Sequence, residues 1–494
     1  MARATELNRN RAPAIRGTGP RGRPPIMLAI AVLVAVVATG LSVTLSPETT
    51  AAVLVAALLG STAVWVILRH PYRALEVSLF VVLVAWTKFR VRDPLATLRG
   101  DIDWQIAVEL VLYALLGILV LRVWWLSGIA QHRSYWIDLV ALLYIALILA
   151  SILWSPTPRI STVRSFQLVV QFGLVLTIVR LAGRTGLMRN LAATIFAYVL
   201  IFGGIALVVP GARGSHVDEY GFGRVYWFSM SPGTVAALAA VAGLFALSAI
   251  LFELRLRRES RFGISSSTWM AVWLLLLLVL LLSTRARGMT IAFVAASSIL
   301  LLLRFAKSWA IAIGASVALL VPAVFLSLAM SPDDLLVAGS ASGNPMLEFL
   351  YRGQSAPELL TMSSRTSLWE ITASLVKQHP LIGHGYLSSR AVLIREVPWA
   401  GYAHNALFQV VLDLGIVGTA LLAVLILSPY RIIRELPFSG KGPVAPAILA
   451  ITTFLLVNSI VGESFAGAAG LDTILLLCLA LGAARPPSPQ VTSR

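Results

Sequence analysis

Apolar residues run along most of this chain in blocks of about twenty, separated by short clusters of charge, proline or glycine. A helix rises ~1.5 Å per residue, so one such block spans a hydrocarbon core of ~30 Å. The blocks have no consistent polar face. Leu274–Leu282 is leucine except for Val279, and a helix that is apolar all round lies among lipid or other apolar helices. The block centres fall near residues 36, 59, 81, 115, 145, 174, 200, 241, 276, 296, 319, 418, 453 and 476. The pattern predicts an all-α polytopic membrane protein of about 12–14 transmembrane helices.

The pattern is interrupted once at length, over residues 330–404. Proline and glycine punctuate the first third of this loop, and Ser364–Gln378 then has helical periodicity through Leu368, Trp369, Ile371, Leu375 and Val376, ending at His379-Pro380. A small, mainly helical lid is expected there. The predicted organisation is a disordered basic arm at 1–25, a transmembrane bundle at 26–329, the loop at 330–404, further transmembrane helices at 405–484 and a tail at 485–494.

Composition narrows the class. The chain has 494 residues, 58% hydrophobic and 12% charged, against roughly a quarter charged in soluble domains. That nearly excludes a water-soluble fold. The formal net charge of +17 does not indicate nucleic acid, because no basic surface interleaved with aromatics accompanies it. Its placement is more telling. With a cytoplasmic N-terminus, the alternate connections that fall inside hold the larger share of Lys and Arg, including Arg180, Arg184, Arg189, Arg431 and Arg434. This bias predicts that both termini are cytoplasmic and the long loop extracytoplasmic. The single cysteine, Cys478, permits no internal disulfide and no cysteine-based metal site. No metal and no cofactor is expected, and Asp333-Asp334 reads as a capping or solvated pair.

Several outer-side residues oppose the charge bias. Ser283-Thr284-Arg285-Ala286-Arg287-Gly288 places two arginines in a tight turn with no acid nearby in sequence. Such a turn suits anion binding, since guanidinium groups grip phosphate oxygens bidentately, although snorkelling to lipid headgroups explains it too. In the loop, Arg365 to Trp369 is followed by Pro380-Leu381-Ile382-Gly383-His384-Gly385-Tyr386, then by His404-Asn405, and the next span carries Asp413 to Gly418. Taken singly, each has a bland reading: a surface histidine, a turn, or an ion pair of Arg365 with Glu370 or Asp413. Within predicted spans, Glu109 and Asp138 are read chiefly as partners for Arg122, Arg164 or one another.

As an ordered set, these motifs resemble the O-antigen ligase and O-antigen polymerase family of bacterial membrane proteins over about residues 220–420. The resemblance rests on Arg287-Gly288, Arg365 to Trp369, Pro380 to Gly385, His404-Asn405 and Asp413 to Gly418. An earlier family element is partly matched: Arg224 and Pro232 fit, while Trp227 and Gly233 stand where Gly and Asn are common.

The resemblance implies a metal-independent, inverting membrane glycosyltransferase of the C-type class. Its donor would be a glycan on an undecaprenyl-pyrophosphate-type carrier, and its acceptor a saccharide or glycolipid hydroxyl at the outer face of the cytoplasmic membrane. Weighed against that chemistry, His404 is the expected general base or acceptor-orienting group, and Arg287 and Arg365 the expected stabilisers of pyrophosphate. Arg285, Arg224, His384, Tyr386, Asn405 and Trp369 are expected substrate contacts. A transporter or flippase for lipid-linked or anionic solutes is the competing reading. It leaves the single large outer loop without a purpose, and the chain shows none of the internal repeat that transporters often carry.

Overall fold

A computed structural model of the chain describes residues 61–89, 101, 103–128, 135–209, 212–217, 223–252, 266–305, 365–397, 400–435, 442–462, 464–467 and 469–485. Two compact units are distinguished, residues 1–70 and 71–494. In the first, residues 61–69 are helical, and the rings of Trp65 and His70 meet edge-on at 6.0 Å.

The described part of the second unit is built from α1 (Pro71–Trp86), α2 (Trp104–Ser127), α3 (Trp136–Ala150), α4 (Pro158–Val208), α5 (Pro232–Phe252), α6 (Ser266–Ser283) and α7 (Arg287–Phe305). It continues with α8 (Arg365–Val376), α9 (Ser389–Glu396), α10 (Ala406–Leu427), α11 (Val444–Val461) and α12 (Leu471–Ala483). Two short antiparallel strands, β1 (Arg213–Val217) and β2 (Gly223–Trp227), form a ribbon between α4 and α5. Every expected apolar block whose centre lies among the described residues coincides with one of these helices. The blocks near 36 and 319, most of the block near 59, and loop residues 330–364 lie outside the described residues. Among the described residues, six helical stretches are long and apolar enough to cross a membrane, and three shorter ones, Thr268–Ser283, Val444–Ile460 and Leu471–Ala483, are also apolar. The protein is an all-α, multi-pass membrane protein, and among the described residues the ribbon and α9 are elements that periodicity did not foretell.

Local chemistry sets the boundaries. Asp103 caps α2 by accepting the Ile106 N–H at 3.0 Å, and Gly128 ends it at φ 59°. The 51 residues of α4 would extend ~77 Å if straight, but Gly183, at φ 66°, breaks it into two legs. Helix α5 is rich in alanine and almost wholly buried, packed by α6, α7 and α11. Small residues let these backbones approach closely, and a methyl added at Gly243 would press on Phe293 of α7. At the lipid-facing extreme, α6 buries Leu277 and Leu281 and exposes Leu275, Leu276, Val279 and Leu282.

Helix directions follow from contacts at the helix ends. The Ser248 hydroxyl near the end of α5 donates to the Pro443 carbonyl at the start of α11 (2.8 Å), so these two helices run oppositely. A methyl added at Gly233 would touch Met289, which places the starts of α5 and α7 together. The Asn405 amide at the start of α10 donates to the Ile460 carbonyl at the end of α11 (3.0 Å). The starts of α5, α7 and α10 therefore share one end of the bundle, called here the loop end.

At that end, residues 380–385 dock into a break in α10. Gly415 has φ 64° inside the helix, which frees backbone groups on either side of it. The loop satisfies them: His384 and Gly385 N–H donate to the Leu412 and Asp413 carbonyls (2.9 and 2.8 Å), while Ile416 and Val417 N–H donate to the Pro380 and Leu381 carbonyls (2.9 and 3.2 Å). Gly383 is also at positive φ, and a Cβ there would collide with the Asp413 and Leu414 backbone. Accordingly, Gly383→Ala should destabilise the protein by at least about 2 kcal/mol, because left-handed backbone and steric collision add. Gly204→Ala, where an added methyl meets nothing, should leave the thermal midpoint in lipid nanodiscs unchanged or higher. Equal losses in the two variants would refute the interlock.

Candidate functional site

Seven of the nine expected site residues fall into two sets at the loop end. The first surrounds the turn between α6 and α7. Thr284 is buried and its hydroxyl donates to the Leu281 carbonyl (2.6 Å), closing the end of α6. Arg285 follows at φ 51°, and Arg287 opens α7. Strand β2 delivers Arg224 to this turn, where its Nε donates to the Thr284 carbonyl at 3.2 Å. Arg224, Arg285 and Arg287 thus belong to one cationic neighbourhood.

The second set joins α8 to the start of α10. Leu368, Leu375, Leu393, Ala400, Ala403 and Leu412 form a small core under the loop. The Trp369 indole stacks on Phe408 with centroids 5.8 Å apart, and its N–H donates to the Ala403 carbonyl at 2.9 Å. This carries Arg365, one turn earlier on α8, to the segment bearing His404. His404 lies at φ 52°, a left-handed backbone that costs a non-glycine residue about 1–2 kcal/mol and concentrates at functional sites. Asn405 then caps α10, its side-chain oxygen accepting the Leu407 and Phe408 N–H groups (2.9 and 3.1 Å).

Burial lowers the His404 imidazole below its ordinary range, and the charge of Arg365 lowers it further. Burial likewise lowers the Arg365 guanidinium from its usual value. Among the described residues Arg365 forms no ion pair with Glu370, Asp413 or any other carboxylate, so a half-buried cation stands beside a neutral imidazole. Helix α11 packs against both α7 and α10, so the two sets flank its loop-end terminus.

His384 and Tyr386, expected as acceptor contacts, are placed elsewhere. Tyr386 is 4% exposed. Its N–H donates to the Ser151 hydroxyl (3.0 Å), its carbonyl accepts the Ser161 hydroxyl (2.7 Å), and burial pushes its phenol up. His384 Nε2 lies 3.2 Å from the Leu375 carbonyl, and its ring meets His379 edge-on at 4.7 Å. Both residues serve the docking of the 380–385 segment. A methyl at Gly385 would strike the Ser155 backbone, so the Gly-His-Gly turn is there for close approach.

Glu109 and Asp138, the intramembrane acids singled out in the sequence, are both paired. Glu109 accepts from Arg164, one of its expected partners, and also from Gln167 (both 3.1 Å). Asp138 pairs instead with Arg485 (2.9 Å) and Arg180 (3.5 Å), neither of which sequence reading had offered it. Sequence reading also passed over Gln409. It is fully buried, donates to Asp413 Oδ2 (2.9 Å) and accepts the Ala403 N–H (3.0 Å). A signal was available: Gln409 and Asp413 are four apart, hence on one face of an otherwise apolar helix.

With this geometry in hand, comparison with protein families gives one finding. Residues 270–423 match the family model described as O-antigen ligase. The match includes Arg285, Arg287, Arg365, His404, Gln409 and Asp413 and leaves Arg224 outside. Comparison with curated proteins gave no match.

The electrostatics of the second set are testable without substrate. Arg365→Met should raise the His404 titration midpoint, followed by NMR of 15N-labelled imidazole, because one of its two depressing causes is removed. The midpoint should stay below about 6.5 because burial persists. An unchanged midpoint would show that Arg365 does not act on His404.

Proposed function

We propose, from the match of residues 270–423 to the O-antigen ligase family model, that this membrane protein transfers a glycan from an undecaprenyl-pyrophosphate-type carrier to a saccharide acceptor hydroxyl. The observation that carries the reading is Arg365: a partly buried guanidinium without a carboxylate partner among the described residues, set beside a neutral imidazole held in left-handed backbone. A desolvated cation lacking its own counter-ion is built to receive an anion.

In the proposed reaction the acceptor oxygen attacks C1 of the donor sugar. The bond from C1 to the pyrophosphate oxygen breaks, its electron pair leaves with that oxygen, and the configuration at C1 inverts. Arg365, with Arg287 and Arg285 from the turn and Arg224 from the ribbon, stabilises the charge that builds on pyrophosphate. Preorganised donors of this kind are each worth roughly 3–4 kcal/mol. This is the neutralising role that a divalent cation fills in other glycosyl transfers. His404 takes the hydroxyl proton, and its lowered pKa keeps it unprotonated at neutral pH.

The loop end is assigned to the outer face of the cytoplasmic membrane, with both termini cytoplasmic. Its support is the distribution of arginines: Arg180, Arg184, Arg431, Arg434 and Arg485 gather at the opposite end, where Arg184 pairs with Glu435 and Arg485 with Asp138. Pure transport of an anionic lipid would use the arginines and leave His404 without a task.

Purified protein in nanodiscs, given a synthetic polyprenyl-pyrophosphate oligosaccharide and a saccharide acceptor, should release polyprenyl pyrophosphate without added metal. Arg287→Ala, Arg365→Ala and His404→Ala should each reduce turnover at least about 100-fold. Since His404 must be unprotonated, activity should rise with pH through a midpoint below about 6.5 and then level off. Full turnover in His404→Ala, or activity that falls over that interval, would contradict the assignment.

A further inference from the structure

We propose that Gln409 is a positioning residue for His404, and that Asp413 is the anchor that orients it. The inference rests on the reading of His404 as the base and adds how that base is held.

Ala403, immediately before His404, is fully buried and gripped on both faces. Its carbonyl accepts from the Trp369 indole (2.9 Å), and its N–H donates to Gln409 Oε1 (3.0 Å). On the other side of His404, Asn405 caps α10. The left-handed backbone of His404 therefore sits between two fixed points.

A carboxamide can present either of two ends, and only the oxygen satisfies Ala403. The environment decides which. Gln409 Nε2 donates to Asp413 Oδ2 (2.9 Å) and to the Ser389 hydroxyl. Asp413 Oδ1 is occupied by donors from α9 and its Oδ2 takes the amide N–H, so the amide nitrogen faces Asp413 and the oxygen faces Ala403. Asp413 is itself tied to α9, its Oδ1 accepting the Ser389 N–H (2.8 Å) and the Ser388 hydroxyl (3.3 Å). The carboxylate is buried at 1% exposure and bonded to neutral donors alone. Its register is in turn fixed by the docked 380–385 segment, since Gly385 N–H bonds the Asp413 carbonyl. Position is thus passed from the docked loop to Asp413, then to Gln409, Ala403 and His404, and no member of this relay between the loop and the imidazole need touch substrate.

Exchanging donor and acceptor along the Gln409–Asp413 bond tests the claim. Gln409→Glu sets two carboxylates face to face, and Asp413→Asn sets two amides so that one must turn away from Ala403. The double exchange restores complementarity: the new amide at 413 donates, and the new carboxylate at 409 still accepts the Ala403 N–H. With full-length protein in nanodiscs and the synthetic donor, each single variant should lower kcat at least about tenfold with donor KM within about twofold. The double variant should return to within about threefold of the parent. The 15N imidazole signals of His404 should shift in both single variants and return in the double.

The positioning role is overturned if His404 signals and kcat are unmoved in the single variants. It is also overturned if the double variant regains the parent's thermal midpoint without regaining the signals. The imidazole signals are read without turnover, so a His404→Ala variant of full activity would remove the base assignment and leave the test of positioning intact.

Discussion

A backbone broken at membrane depth must find its hydrogen bonds within the protein, because lipid offers none and each unsatisfied group costs several kcal/mol. Gly415 breaks α10 in this way. The carbonyls of Leu412 and Asp413 and the N–H groups of Ile416 and Val417 are satisfied by one short segment, Pro380 to Gly385, running alongside. The rest of the loop-end architecture depends on this exchange. It converts a polar interruption, unfavourable in itself, into a fixed mount for the loop on a membrane-spanning helix. It also explains the composition of the mount: Gly383, Gly385 and Gly415 stand at positive φ where any side chain would meet backbone, a condition only glycine meets without strain.

From that mount the geometry propagates in two directions. Along α10, the carboxylate of Asp413 holds the start of α9 and the amide of Gln409, and Gln409 holds the peptide before His404. Across the loop core, Leu368 and Leu375 of α8 pack on Leu412, and Trp369 closes on Ala403. Arg365 and His404 are therefore placed by separate helices that refer to the same few residues of α10. Removing the interlock would misplace both together, a different failure from loss of either side chain.

The transmembrane helices were legible because blocks of twenty apolar residues admit few other structures. The helix Arg365–Val376 was legible for a related reason, its apolar residues recurring at helical spacing up to a proline. The ribbon escaped notice because Arg213-Gly214-Ser215-His216-Val217 and Gly223-Arg224-Val225-Tyr226-Trp227 have no clear alternation of apolar and polar positions. Their pairing depends on the chain reversing at the loop end. Tyr386 was misplaced because Gly-His-Gly-Tyr reads as an exposed turn. Whether such a turn faces water or buries itself against Ser151 and Ser155 depends on helices more than two hundred residues away in sequence. The partners of Asp138 were hidden for the same reason: Arg485 lies 347 residues along the chain.

The carboxylates of the bundle complete the electrostatic argument. Glu109 is matched by Arg164, Asp138 by Arg485 and Arg180, and Glu435 by Arg184 through two hydrogen bonds of 2.6 and 2.7 Å. These arginines are structural, since each cancels a charge that the helices would otherwise hold unpaired in low dielectric. Asp413, like Asp472 of α12, has no arginine partner among the described residues. It stands on the same helix as the His404 segment and could have neutralised Arg365, yet it is satisfied by a peptide N–H, two serines and a glutamine, all uncharged. Supplying that carboxylate with neutral donors leaves it unpaired with the cation, and among the described residues Arg365 has no carboxylate partner. Had Asp413 paired with Arg365, the loop would be held as firmly but the guanidinium would be spent. The arrangement gains fixed geometry from the carboxylate and, on the proposed reading, leaves the positive charge to the anionic donor.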